Sequence, residues 1–258
     1  MHLPTPDALP DSAAQRAADR RRWIGAFNLS LAFVLVLCGV FALQSSIDLR
    51  AWTVQPWSIV GLLGLIGAPL LHGSVEHIAA NAISLLMLGT LAGAMYPRAA
   101  VRALPLIWLG SGLGAWLLGE AGSHHLGASG LTHGLMFLVF VLGLLRRDRP
   151  AIAAAMIAFF LYGGMLLTVF PREAGISWQA HLGGALGGVI AAVLWRRRDP
   201  QAPRKRYSWE LEEELAAQAR EDEHSTLEPP SPNEVPVLWQ RPDDEAHGTV
   251  LPFRRRNG

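Results

Sequence analysis

The chain of 258 residues has little charge and almost no cysteine. Charged residues make up 17% of it and hydrophobic residues 51%, whereas a soluble domain carries about 25% charge. The single cysteine, Cys38, excludes a disulfide framework and every metal site built from several cysteines. The formal net charge of +1 and the lack of a Lys/Arg-rich recognition element argue against a nucleic-acid partner. These shortages leave a membrane protein as the expected class.

Long stretches without any charged residue predict membrane-spanning helices. Residues 24–44 follow the basic run Arg20-Arg21-Arg22 and carry no charge. About 20 apolar residues cross a bilayer as a helix, and no cleavage site follows, so we interpret this stretch as an uncleaved anchor. Five further charge-free stretches are candidate spans: 78–96, 103–119, 126–145, 151–170 and 174–195.

Residues 51–75 are also apolar, but prolines and glycines interrupt them, which makes the number of spans ambiguous. Cytoplasmic loops carry an excess of arginine and lysine. Six spans place twelve arginines on the side of the N-terminus and two on the other side, whereas a seventh span divides them five against nine. We therefore predict six spans, both termini in the cytoplasm, and residues 51–75 as a membrane-associated extracytoplasmic loop.

The composition changes after the last predicted span. Residues 197–258 are rich in Pro, Glu, Arg and Asp, and they are predicted to be a disordered cytoplasmic tail. One acidic run within the tail, WELEEELAAQAREDE, is compatible with a surface helix. The predicted organisation is therefore a cytoplasmic N-terminal segment (1–23), a six-helix domain (24–196) and this tail.

Several ionisable or strongly polar residues lie inside the predicted spans, where such groups are costly and usually face a cavity or a partner. All lie near the extracytoplasmic end of their span: His77, Asn81, Ser84, Ser129, Thr132, His133, Gln179 and His181. His77 and Asn81 are four residues apart and share a helix face, while His72 precedes them at the edge of the loop. A site built from these residues would lie below the surface but within reach of water.

Ser129 opens the fourth predicted span within a run of small residues, Gly127-Ala128-Ser129-Gly130. Small neighbours leave the hydroxyl unhindered, and the first amides of a helix can stabilise an oxyanion. Taken alone, a helix start with small residues is more often a packing device than an active site.

His181 lies on the same face of the sixth predicted span as Gly184 and Gly188. The two glycines form a small-residue ridge that lets another helix approach closely. If the fourth helix packs against this ridge, Ser129 and His181 can meet.

A serine within reach of an imidazole is a nucleophile with its general base. His77 and Asn81 would add hydrogen-bond donors for the developing oxyanion. No acidic residue is available as the third partner, so we predict a dyad of Ser129 and His181 rather than a triad.

The spacing of these residues resembles the rhomboid family of intramembrane serine proteases. The resemblance covers roughly residues 24–196 and implies an all-α polytopic bundle of six transmembrane helices, with residues 51–75 as the embedded first loop. It also implies cleavage of single-span membrane proteins at or near the membrane boundary, in contact with lipid and without cofactor or metal. The predicted location is the bacterial inner membrane. The matching motifs occur in the family's order: His72-x4-His77-x3-Asn81, Gly127-x-Ser129-Gly130 and Ala180-His181-x2-Gly184-x3-Gly188.

The resemblance implies a role for each matching residue. Ser129 would be the nucleophile and His181 the general base, with His77, Asn81 and the backbone amide of Ser129 as the oxyanion hole. His133 departs from the family, because many members have an aromatic residue there, typically Tyr, stacked on the catalytic histidine. The first loop also lacks the family's common Trp-Arg pair, so this loop must be held in another way.

Three alternatives stay open. A membrane metalloprotease would combine Glu76 with His72 and His77, but HExxH is absent and HxxEH is missed by one residue. A haem-binding electron carrier could pair those histidines with His133 and His181 across helices, but it would not need the serine. A non-catalytic rhomboid-like protein would bind transmembrane clients, although that class usually lacks the serine or the histidine.

Overall fold

The computed structural model describes residues 13–46, 48–171, 175–200 and 208–227, and these residues are mostly helical. No β-strand occurs among them. A 3-10 segment, Gly163–Val169, continues the fifth long helix. The long helices are α1 (Ala13–Leu43), α2 (Val75–Met95), α3 (Pro97–Leu118), α4 (Ser129–Arg146), α5 (Arg149–Tyr162), α6 (Trp178–Trp195) and α7 (Ser208–Leu227).

Helices α1–α6 belong to one compact unit, whereas α7 belongs to another. Helix α7 coincides with the acidic run of the tail. Of the other tail residues for which disorder is predicted, 201–207 and 228–258 lie outside the described residues. Residues 197–200 are described, and Asp199 among them is buried.

Five helices are long and apolar enough to cross a membrane: α1, α2, α3, α4, and α5 together with its 3-10 continuation. Helix α6 has 18 residues, but its mean hydropathy is lowered by Gln179, His181 and its glycines. Its main contacts are with α3 and α4, and Gln179, His181 and the glycines at 183, 184, 187 and 188 are buried on that side. Its polar residues therefore face protein, while Leu186, Ile190 and Leu194 are exposed on its outer face. The fold is the predicted all-α polytopic bundle, and the chain is an integral multi-pass membrane protein.

Side-chain caps determine where two of these helices begin. The Ser74 hydroxyl accepts the backbone N–H of His77 (3.1 Å) and starts α2, while the Asp148 carboxylate accepts the N–H of Ala151 (3.0 Å) and starts α5. Such caps satisfy amides that have no partner inside the helix. The cap at Ser74 therefore also orients the first turn of α2, which carries His77.

Helix α4 is the centre of the bundle. Within its membrane-spanning window 61% of the residues are buried, against 6% for α1. The glycine ridge of α6 packs against α4, because a methyl group at Gly184 or Gly188 would collide with the carbonyl oxygen of Gly130 or Gly134, respectively. Helix α4 is therefore the helix that packs closely on the glycine ridge of α6, as predicted.

Residues 51–75 form a loop of short helical turns and do not cross the membrane. Their longest apolar helical stretch is Val60–Leu70, which is too short to span about 30 Å of hydrocarbon. Trp57, Ile59 and Ile66 are exposed on the loop surface, as expected of a segment that contacts lipid. Residues 51–75 therefore form a loop, as predicted, and not a seventh span.

Two tryptophans of α3 hold this loop in place. The indole N–H of Trp108 donates to the carbonyl of Leu65, and the indole N–H of Trp116 donates to that of Ser58, both at 2.9 Å. A membrane-embedded loop needs such partners, because water is not available to its carbonyls. These bonds hold the loop in the absence of the Trp-Arg pair.

The end of the bundle at which α3 and α5 begin is here called the arginine end. The Asp199 carboxylate accepts the backbone N–H groups of Arg98 and Ala99, both at 2.9 Å, and so caps α3. The Arg146 guanidinium donates to the carboxylate of Asp148 at 3.2 Å and to the carbonyl of Asp199 at 3.1 Å. The opposite end, at which α2, α4 and α6 begin, is called the serine end.

Candidate active site

Ser129 and His181 form a hydrogen-bonded pair at the serine end. The Ser129 Oγ and His181 Nε2 atoms are 2.8 Å apart, and His181 Nδ1 is 3.0 Å from the carbonyl oxygen of Thr168. Because a carbonyl can only accept, Nδ1 carries the hydrogen of the neutral ring and Nε2 presents its lone pair to the hydroxyl. This tautomer is the one a general base needs.

His133 lies one turn after Ser129 on α4 and stacks on His181. The two ring centroids are 3.8 Å apart, with an angle of 14° between the planes. His133 Nδ1 is 2.6 Å from the carbonyl oxygen of Ser129, and Nε2 is 2.8 Å from the Thr168 Oγ1 atom. An imidazole therefore fills the stacking position, and it makes hydrogen bonds at both of its nitrogens.

Asn81 lies at the wall of the cavity that contains Ser129. Its side chain is only 4% exposed, and its Nδ2 atom has no hydrogen-bond partner among the described residues. A buried N–H group without a partner is uncommon in proteins. Asn81 therefore has an amide available for a group that enters the cavity.

His77 lines the same cavity, and its position depends on Gly127. Gly127 has a φ of +112°, which L side chains rarely adopt, and a methyl group there would overlap the His77 ring. Glycine thus allows the chain before Ser129 to pass against the imidazole. The structure brings Asn81, His77 and Ser129 to one cavity.

His72 lies behind His77 and is not part of the cavity wall. Its ring meets the His77 ring edge to face, with centroids 5.1 Å apart, and its backbone pairs with the side-chain amide of Gln44 at the end of α1. Burial, together with the neighbouring His77, lowers the pKa of His72 to about 4. A neutral His72 therefore supports His77 by packing.

The cavity measures about 1080 Å³ and extends from the dyad towards the loop between α3 and α4. On that side, His125 Nε2 is 2.9 Å from the Ser123 hydroxyl and Nδ1 is 2.7 Å from the Ser177 hydroxyl. Burial and the neighbouring His124 lower the pKa of His125. These hydrogen bonds connect the loop to the chain just before α6, and so they hold one wall of the cavity beside His181.

Thr168 and the pair of His125 and Ser177 were not predicted from the sequence. Thr168 carries a hydroxyl and lies near the end of the charge-free stretch 151–170. A complete list of the polar residues in the predicted spans would have included it. His125 and Ser177 lie in loops, where polar residues are too common to attract notice.

The geometry does not favour the haem and metal alternatives. The His133 and His181 rings stack in parallel and use their nitrogens in hydrogen bonds, which leaves no room for a porphyrin between them. Among the described residues, no group of three His, Cys, Asp or Glu side chains is arranged to hold a metal ion.

A family model described as the Rhomboid domain matches residues 55–198. Uncharacterized proteins of Mycobacterium bovis and Mycobacterium tuberculosis are each 36% identical to the chain over 206 residues, which is 75% of this chain and 85% of theirs. An uncharacterized protein of Mycobacterium leprae is 40% identical over 141 residues, 52% of this chain and 56% of that protein.

Proposed function

This chain belongs to the rhomboid family, and on that premise we propose that it is an intramembrane serine endopeptidase with Ser129 as nucleophile and His181 as general base. The observation that carries the proposal is the 2.8 Å hydrogen bond between Ser129 Oγ and His181 Nε2. The Thr168 carbonyl, which accepts from the other nitrogen of His181, supports the same assignment because it selects the tautomer of a base.

In the first step His181 Nε2 takes the proton of Ser129 as Oγ attacks the carbonyl carbon of the scissile peptide bond. Positive charge then develops on the imidazole, next to the Thr168 carbonyl oxygen, which stabilises it. His181 next donates this proton to the leaving amine, and an acyl-enzyme on Ser129 remains. Water, deprotonated by the same imidazole, hydrolyses the ester and restores the serine.

The oxyanion of each tetrahedral intermediate needs donors that are already in position. The buried Asn81 amide supplies one, because its Nδ2 atom has no partner among the described residues. The N–H of Ser129, the first residue of α4, supplies a second, since the first amides of a helix lack intrahelical partners. The proposed third donor is the imidazole of His77, which lines the same cavity.

We further propose that the substrates are single-span membrane proteins cut near the membrane boundary. The cavity lies at one end of the bundle, where water for hydrolysis is available and a transmembrane segment can present its own end. A substrate helix must unwind locally to expose a carbonyl, so small or helix-breaking residues near the scissile bond should favour cleavage. The proposed location is a bacterial inner membrane with both termini in the cytoplasm.

The test is cleavage of a model single-span substrate, combined with labelling by a fluorophosphonate probe and mass spectrometry of the labelled peptide. The wild type should cleave the substrate and carry the label on Ser129, and Ser129→Ala should do neither. Ser30→Ala is the control, because Ser30 lies on α1 and does not line the cavity. This variant should keep both the cleavage and the label on Ser129. Cleavage by Ser129→Ala at the wild-type rate would show that the proposal is wrong.

A further inference from the structure

We propose that Thr168 is a positioning residue of this site, which acts together with His133 to hold His181 as the general base. The inference rests on the proposed function. It is carried by four hydrogen bonds that form a closed ring through Ser129, His181, Thr168 and His133. The residues come from three parts of the bundle: α4, the 3-10 segment Gly163–Val169 and α6.

The ring is closed because two of its members contribute both backbone and side chain. Ser129 uses its hydroxyl towards His181 (2.8 Å) and its carbonyl towards His133 (2.6 Å). Thr168 uses its carbonyl towards His181 (3.0 Å) and its hydroxyl towards His133 (2.8 Å). Each imidazole therefore bridges Ser129 and Thr168, and the two imidazoles stack between them.

The positions of the hydrogens follow from the acceptors. Each histidine has its Nδ1 atom on a carbonyl oxygen, which cannot donate, so both neutral rings carry their hydrogen on Nδ1. The Nε2 atom of His133 is then an acceptor, and the Thr168 hydroxyl is the donor that reaches it. The Thr168 hydroxyl is also 3.0 Å from the carbonyl oxygen of Met165. Because a hydroxyl has one hydrogen to donate, the bond to His133 forms when that hydrogen points towards Nε2.

The Thr168 hydroxyl thus has an effect on a base that it does not touch. His133 is 2% exposed and His181 is 6% exposed, so neither ring can replace a lost partner with bulk water. Without the hydroxyl, His133 Nε2 loses its donor, and the His133 imidazole is held only by its Nδ1 bond to the Ser129 carbonyl and by stacking on His181. The carbonyl that orients His181 belongs to the same residue, so loss of the hydroxyl bond to His133 also removes a restraint on the segment that presents this carbonyl.

The arrangement also fits the charged intermediate. When His181 accepts the serine proton, its positive charge lies between the Thr168 carbonyl oxygen and the face of a neutral His133 ring. A carbonyl dipole and a π face both stabilise a cation. A His133 imidazole held by one hydrogen bond alone would not keep this geometry, because stacking does not stop an imidazole from rotating in its own plane.

The first experiment compares Thr168→Val with Thr90→Val in cleavage of the model substrate by the full chain. Thr90, on α2, is a matched control, because it also is half-buried and back-bonds to a carbonyl, that of Leu86 at 2.5 Å. Thr168→Val should lower kcat by roughly 10- to 100-fold, the range expected when a catalytic group is slightly misplaced. KM should stay within about twofold, and Thr168→Ser, which keeps the hydroxyl, should restore kcat.

The second experiment removes the other partner of the hydrogen bond between Thr168 Oγ1 and His133 Nε2. His133→Phe keeps an aromatic ring for stacking but removes both hydrogen bonds, so it should lower kcat at least as much as Thr168→Val. The double variant with Thr168→Val should have a kcat only slightly lower than that of the worse single variant, because either change alone already breaks the closed cycle of hydrogen bonds. This variant also keeps the inference testable if Thr168→Val does not fold.

The outcomes separate the inference from its premise. A wild type that neither cleaves nor labels at Ser129 would overturn the proposed function and this inference together. An active wild type whose kcat is unchanged in Thr168→Val or His133→Phe would overturn the inference alone. A loss of kcat in Thr168→Ser as large as that in Thr168→Val would also overturn it, because the hydroxyl would then not be the cause.

Discussion

At the arginine end of the bundle the Asp199 carboxylate accepts two backbone amides, and Arg146 is bonded to Asp148 and to carbonyl oxygens. At the serine end the Asn81 amide nitrogen is buried without a partner among the described residues, and Ser129 is bonded to a base. The two ends belong to the same helices and are both polar. They differ in that the serine end has a buried side-chain amide nitrogen, without a partner among the described residues, at the wall of a cavity.

The two ends should therefore contribute differently to the free energy of unfolding. A buried donor without a partner costs about 1–3 kcal/mol, and Asn81 lines a cavity in which water or a bound group can supply that partner. The satisfied carboxylate of Asp199 instead stabilises the start of α3. The arginine end has one exception, Tyr96, whose hydroxyl lacks a partner among the described residues. Burial raises the pKa of Tyr96 to about 12, so this hydroxyl stays neutral.

The largest expected effect is at the dyad. Ser129→Ala and His181→Ala should each lower the cleavage rate on the order of 10³-fold or more, and the double variant should lose no more than the worse single variant, because the two residues act as one unit. Rates are measured on a single-span substrate in detergent. Losses that multiply in the double variant would mean that the two residues act independently.

Asn81→Ala should cost less than the dyad variants, roughly 10²- to 10³-fold in kcat, as one oxyanion donor among several. It should not lower the thermal unfolding midpoint, since it removes a buried amide nitrogen that has no partner. Kinetics and a melting curve on the same preparation check both parts. A variant that melts earlier but cleaves normally would assign Asn81 to structure.

Asp199→Ala should show the opposite behaviour at the arginine end. Loss of two accepted backbone amides should lower the free energy of unfolding by about 1–3 kcal/mol, while kcat per folded molecule stays unchanged. Asp199→Asn, which keeps one acceptor oxygen, should fall between the wild type and Asp199→Ala. The measurement is a denaturation curve followed by an assay on the folded fraction.

Acid should weaken the serine end through His72. Its pKa in the folded chain, about 4, is below the ordinary value of 6.5, so between these values the unfolded chain binds a proton that the folded chain does not. Stability is therefore lost as pH falls through this window, by about 1.4 kcal/mol for each pH unit. In His72→Phe the unfolding midpoint should fall less steeply with pH than in the wild type. Equal slopes would exclude His72 as a source of the acid sensitivity.

The smallest effect should follow removal of the tail. A chain that ends after Pro200 keeps Asp199 and its bonds to α3, so cleavage should stay within about twofold of the full-length rate. A chain that ends after Arg196 loses Asp199 and should show the reduced stability of Asp199→Ala. Loss of cleavage by the first truncation, with normal melting, would give the tail a role in the reaction.

Much of the fold and part of the site could be predicted because they depend on local patterns. Charge-free stretches predict spans, since every charge in a bilayer core is costly. The ridge of Gly184 and Gly188 predicted close packing at the level of His181, because only small residues allow it. Thr168 escaped prediction because one of its two contacts uses a backbone carbonyl, and every residue has a carbonyl.

The sequence alone determined the six helices, the loop of residues 51–75 and the depth at which polar residues lie, because hydrophobicity and helix periodicity act over one segment at a time. Only the tertiary structure decided which nitrogen of His181 faces Ser129, which carbonyl fixes that tautomer and which amide is left without a partner. These properties depend on atoms from helices far apart in the chain. Directional hydrogen bonds between such atoms exist only after the helices have packed.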